Sequence, residues 1–128
     1  MRYHKDGTQP QNDEVFVFGS NLAGIHGAGA AKQAVKYGAR YGVGVGMSRR
    51  TYAIPTKDYD IKTLPVDQIK PYIERFVKFT NEHAGVKFFI TRVGCGLAGH
   101  KDSEIAPLFR GCSANCSFPE QWEIYLKD

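Results

Sequence analysis

The sequence predicts an α/β fold in which a mainly parallel sheet is sandwiched between helices, and three observations carry that reading. Val15-Phe16-Val17-Phe18 is a continuous run of β-branched and aromatic residues, as a strand buried on both faces requires, and Thr51-Tyr52-Ala53-Ile54 and Lys87 to Val93 read as a second, core strand and a third. Segments with helical spacing separate them. Each run also breaks off at glycine or proline, the punctuation of a strand-loop-helix unit.

In chain order, residues 1–14 are polar, with Gly7, Pro10 and Asn12, and read as a lead-in to one domain over residues 15–128. A chain of 128 residues has room for one hydrophobic core and not two. The first strand stops at Gly19-Ser20-Asn21, and a helix runs from about Ala28 to Tyr37 on strong helix formers, with Gly38 at its end. Glycines at 38, 42, 44 and 46 then mark either a functional, backbone-tight connection or a plain surface excursion. Pro55 closes the second strand and leaves Thr56-Lys57-Asp58 just past its end. From Asp67 to His83 the residues Ile69, Tyr72, Ile73, Phe76, Val77 and Phe79 form an apolar stripe for the core. Pro71 falls near the first turn of that helix, where its missing N–H is tolerated, and Gly85 ends it. The third strand, Lys87 to Val93, runs into Gly94-Cys95-Gly96-Leu97-Ala98-Gly99, and Asp102 or Ser103 caps a short helix reaching about Arg110. Asn115 to Phe118 forms a last strand, with Pro119 and a tail around Trp122 packed on the outside.

The strongest chemical signal lies in residues 15–32. A strand, a loop with Gly24, Gly27 and Gly29, and a helix N-terminus make an anion site: glycine lets the backbone approach a ligand, and free N–H groups favour phosphate. The simpler alternative is a turn that needs glycine for its geometry. No Gly-Lys-Ser/Thr triplet exists for a Walker loop, and Lys32 stands where the dinucleotide fingerprint needs glycine. Ligands of parallel α/β sheets bind beyond the carboxyl ends of the strands. The loops 19–29, 56–58 and 94–99 all follow strands, so they converge on one edge and one site.

Composition narrows the partners. The 42% hydrophobic content is that of a globular chain. No apolar run approaches the ~20 residues that span a bilayer, and the first residues lack a signal peptide's apolar region, which points to the cytoplasm and to no membrane partner. Cys95, Cys112 and Cys116 read as free thiols, and Cys112-x-x-x-Cys116 has no second pair, so no metal is expected. A net charge of +4 suits a small anionic ligand but is too small for a nucleic-acid groove.

Gly19-Ser20-Asn21 … Gly27-Ala28-Gly29-Ala30-Ala31 and Val93-Gly94-Cys95-Gly96-Leu97 together resemble the two ligand loops of macro domains. The second loop is most similar to the branch that removes ADP-ribose from acidic side chains, and Ile105-Ala106-Pro107-Leu108-Phe109 resembles the short helix that follows there. The similarity covers most of residues 15–118, with the two loops as its specific part. It implies a three-layer α/β/α macro-like fold, compact and shortened at its periphery, that binds ADP-ribose or a close derivative and needs no cofactor. By position, Ser20 and Asn21 belong to the first ligand loop, with Asn21 hydrogen-bonded to the distal ribose. Gly27, Ala28 and Gly29 pack against that ribose and the diphosphate, while Gly94, Cys95, Gly96 and Leu97 supply N–H groups from the other side. Thr56-Lys57 stands where that branch has a Thr-Lys pair whose lysine attacks the anomeric carbon, which makes Lys57 the candidate nucleophile.

One departure from the branch is Ala98, which occupies the place of an aspartate directly after Gly-Cys-Gly-Leu; the next acid is Asp102. Without that acid a lysine mechanism lacks its proton-transfer partner. His26 is the other catalytic candidate, as acid, base or nucleophile toward a terminal phosphate, unless it is an ordinary solvent-exposed loop histidine. Cys95 reads as a small packing residue whose flanking glycines and following helix would lower its pKa. Two functional classes follow: a hydrolase of ADP-ribose linkages or of ADP-ribose 1″-phosphate, and a module that recognises or sequesters an ADP-ribose-derived nucleotide. ADP-ribose or a derivative is the expected partner, with an ADP-ribosylated protein as a further candidate.

Overall fold

The computed structural model describes residues 1–127; Asp128, the last residue of the expected domain, lies outside the described residues. The chain forms β1 (Arg2–His4), β2 (Glu14–Asn21), α1 (Gly29–Ala34), β3 (Gly46–Ser48), β4 (Thr51–Lys57), α2 (Val66–Glu82), β5 (Lys87–Ile90), α3 (Asp102–Ile105), β6 (Cys116–Pro119) and α4 (Glu123–Leu126). Its strands make one six-stranded sheet in the order β1-β6-β5-β2-β4-β3. Every neighbouring pair is parallel except β3 with β4. With helices on both faces, this is the mixed α/β, mainly parallel arrangement that the sequence predicts.

The unbroken apolar runs have a direct cause. Successive side chains of a strand point to opposite faces, and here both faces are covered. Val15 and Val17 of β2 join Tyr52, Ile54, Phe88 and Ile90 in the larger core, under α2 and the segment 102–126. Phe16 and Phe18 turn the other way, toward Ala31, Ala34, Ala39, Ala53 and Phe89. Small alanines on α1 let that helix sit close to a floor of rings. On the opposite face α2 buries Ile69, Ile73, Phe76 and Thr80, one stripe of the helix. Each large apolar side chain so buried contributes about 1.5–3 kcal/mol.

Several elements depart from the sequence reading. The N-terminal stretch is no loose lead-in: Arg2–His4 pairs with β6, and Glu14 already belongs to β2. Pro55 does not close its strand. β4 continues to Lys57, because the bond from Phe16 N–H to Arg50 O sets the alternation that turns position 55 away from β2, toward the side where β3 has ended at Gly46; the missing N–H therefore costs no ladder bond. β5 stops at Ile90, since Thr91 gives both its N–H and its hydroxyl to Val17 O and the chain then turns away. Two helices are shorter than expected, α1 tightening into a 3₁₀ turn at Val35–Tyr37 and α3 into one at Ala106–Phe109. Because α2 begins at Val66, Pro71 lies inside it rather than in its first turn. Trp122 is not on the outside: it is 0% exposed, packed on Phe109 and Phe118. No helix among the described residues is long and apolar enough to cross a membrane.

Candidate functional site

Three strands end together. A β-carbon placed on Gly19 would lie 3.4 Å from both Gly94 N and Thr56 Oγ1, so the ends of β2 and β4 and the turn after β5 meet at one point. Beyond it opens a cleft of about 510 Å³, within the ~300–1,000 Å³ of small-molecule sites. Ser20, Asn21, Gly27, Ala28 and Gly29 line one side, Gly94, Gly96, Leu97 and Ala98 the other, and Thr56 and Lys57 lie at the end of β4 between them. The convergence expected of the three loops is thus a property of the fold.

Backbone donors without an acceptor occur in both glycine loops that line this cleft. The N–H groups of Gly27, Ala28 and Gly29, and those of Gly94, Gly96 and Leu97, have no partner among the described residues. Ala28 is the N-cap of α1 and offers no side-chain cap, so the first N–H groups of that helix stay open to an external acceptor. Cys95 is the exception. Its N–H is spent on Arg92 O at 3.0 Å, and the residue packs against the larger core rather than lining the cleft. Its thiol also moves opposite to expectation: burial, with the Asp102 carboxylate beside it, pushes the pKa up to about 12. It is not an activated nucleophile.

The polar side chains of the first loop shape the loop itself. Asn21 Nδ2 donates to Ile25 O at 2.7 Å, and its Oδ1 accepts from Ile25 N–H at 2.9 Å. The Ser20 hydroxyl donates to Gly44 O. That bond ties the first loop to Gly44 of the glycine run at 38–46, which does not line the cleft. A β-carbon on Gly44 would stand 2.1 Å from Asn21 O, and one on Gly24 would stand 2.4 Å from the Gly42 carbonyl carbon. Two glycine-rich backbones lie directly against each other, and the second holds the first in shape.

His26 is 1% exposed, not a solvent-exposed loop residue. Its Nε2 pairs with Arg40 O at 2.8 Å, its ring meets Phe18 edge-on, and Tyr41 packs alongside. It lies outside the lining of the cleft. Lys57, in contrast, is half-buried and lines it.

The other end of the cleft holds residues that sequence reasoning missed. His4, Asp6, Gly7 and Thr8 come from the N-terminal stretch, and Thr91 and Arg92 from the turn after β5. His4 stacks on Phe89 at 3.8 Å, and Phe89 lies near-parallel to Phe16 at 6.2 Å, so three layered rings line this end. Burial keeps His4 below its ordinary pKa despite the pull of Glu14 and Asp6. Arg92 is gripped by Asp102 through Nε at 3.0 Å and Nη2 at 2.9 Å, and Asp102 also accepts from Trp122 Nε1 at 2.6 Å. Burial alone would raise the Asp102 carboxyl, but the bonds from Arg92, Trp122 and Cys95 hold it below the usual carboxylate range. The one signal available was Arg92's place two residues before Gly94.

A solved structure with a similar fold is that of Thermosipho africanus DarTG in complex with ADP-ribose, at a TM-score of 0.56 and 16% identity. The fold is macro-like. The likeness covers 86% of this chain and 39% of that one, so the present chain spans less than half of that protein's length. No family profile matches the sequence, and no curated protein matches it.

Proposed function

We propose that this protein binds ADP-ribose, or a closely related adenine diphosphate, in the cleft at the carboxyl edge of the sheet. The observation that carries the reading is the pair of glycine loops that both line the cleft and whose N–H groups have no partner among the described residues. A diphosphate between them accepts from both sides, and each such charge-assisted bond is stronger than a neutral one. The layered rings of His4, Phe89 and Phe16 at the far end could extend their stack to a planar base, and the fold's likeness to a protein solved with ADP-ribose supports the same ligand class. Titration calorimetry with ADP-ribose and with NAD tests it. Heat with ADP-ribose and a weaker response to NAD is the expected result; silence with ADP-ribose and its phosphorylated and cyclic relatives at millimolar concentration rejects the reading.

A second reading adds hydrolysis, because Lys57 lines the cleft. An amine attacks an anomeric carbon only when deprotonated and with a proton-transfer partner nearby. Ala98 supplies none, Asp102 is occupied by Arg92 and Trp122, and Asp6 is the one carboxylate among the described lining residues. Binding is therefore the primary reading. Single-turnover assays on an ADP-ribosylated protein and on ADP-ribose 1″-phosphate separate the two. If hydrolysis occurs through the lysine, Lys57→Ala abolishes turnover and changes affinity little; no turnover in the wild type leaves the binding module.

A further inference from the structure

We propose that the cleft accepts a free nucleotide and discriminates against the same group attached to a protein side chain. The inference rests on the ADP-ribose reading above and names which form of that ligand enters. Contacts join three segments in a ring around the end of the cleft where Lys57 lies. Leu22 N–H donates to Lys57 O at 2.9 Å, which ties the first loop to β4. β4 leads straight into the turn 58–63, and Thr63 Oγ1 donates to Ala98 O at 2.9 Å, which ties that turn to the second loop. Leu97 closes the ring: a β-carbon on Gly29 would lie 3.0 Å from its Cδ1, so the leucine rests against the backbone of the first loop.

Three apolar side chains of the collar line the cleft beside Lys57. Ile25, Ile61 and Leu97 all line it, and all three are exposed, Leu97 at 67%. Ile61 is held at φ 64, a left-handed conformation that costs an L-residue about 1–2 kcal/mol and is least suited to a β-branched side chain. The turn enforces it, with the Asp58 carboxylate accepting from Asp60 and Lys62 N–H and the Asp58 carbonyl accepting from Ile61 N–H. Glycine would relieve the strain; isoleucine instead keeps a branched hydrocarbon at the rim. A ligand conjugated through its terminal ribose must pass a polypeptide through this collar, without polar side chains from those three residues to receive it. A free ligand ends inside. Specificity of this kind comes from a built-in obstruction rather than from an added attraction.

The test measures competition binding of ADP-ribose and of a mono-ADP-ribosylated protein to the wild type, Ile61→Gly and Leu97→Ala. The wild type should prefer the free nucleotide at least about tenfold, and both variants should bring that ratio toward one. Ile61→Gly removes backbone strain, so its folding is not at risk. Equal affinity of the wild type for both ligands overturns the collar while the ADP-ribose site stands. A preference that survives in both variants also overturns it. Binding of neither ligand rejects the underlying reading, and the collar falls with it.

Discussion

Asp102 gathers the largest set of side-chain bonds near the cleft without lining it. Arg92, Trp122 and Cys95 all donate to it, and Arg92 in turn reaches Asp6 at 3.9 Å. Its folded-state pKa lies below the unfolded value of about 3.9. The stability it supplies is therefore complete above that pH and is lost as pH falls through the lower folded value. Asp102→Asn should destabilise the fold at neutral pH by about 1–3 kcal/mol, read as a lower melting temperature, and flatten the fall of that temperature below the ordinary carboxylate range. An unchanged acid limb in thermal melts of the variant rejects this assignment. At this scale the sequence was a partial guide. Lys57 was legible because strand ends project residues into such clefts. Burial of His26 depends on Phe18, Tyr41 and Arg40, and the high pKa of Cys95 depends on Asp102. Neither relation is visible in local pattern.

Among the elements, the first loop and the glycine run behave as one unit. Gly42 N–H donates to Gly24 O at 2.9 Å, and Ser20 fastens the pair at Gly44. Glycines of this unit should respond differently to substitution. Gly44→Ala drives a methyl into Asn21 O and should cost about 1–3 kcal/mol as overpacking, read as a lower melting temperature. Gly29→Glu meets only the movable tip of Leu97, at a backbone cost of about 1–2 kcal/mol for its φ of 59. It should fold yet abolish ADP-ribose binding, because the carboxylate fills the cleft and repels the diphosphate. Retained affinity in a folded Gly29→Glu protein would make this loop a plain turn. The sequence announced both glycine segments but not their contact, since nothing in the spacing says which glycine backs which.

For the whole molecule, strands buried on both faces were the most legible feature, because a two-sided core leaves no polar alternation in Val15–Phe18. The outer parts were not legible. Arg2–His4 is too short to carry a period, and Glu120-Gln121-Trp122-Glu123 hides a buried tryptophan among polar neighbours. Yet β1 covers the edge of β6 and brings His4, Asp6 and Thr8 to the cleft. Deleting residues 2–8 should leave the central strands folded by circular dichroism, lower the melting temperature, and weaken ADP-ribose binding at least about tenfold. Full affinity in the truncated protein would confine the site to the two glycine loops. The pairing of β1 with β6 has a further consequence for biogenesis. His4 Nδ1 meets Ser117 Oγ at 2.7 Å across a separation of 113 residues. While the chain emerges from the ribosome, N-terminal end first, β1 must wait without its partner until β6 appears. The glycine loops can form before then, but the end of the cleft that carries His4, Asp6 and Thr8 cannot, so the site gains that end only after β6 has been made.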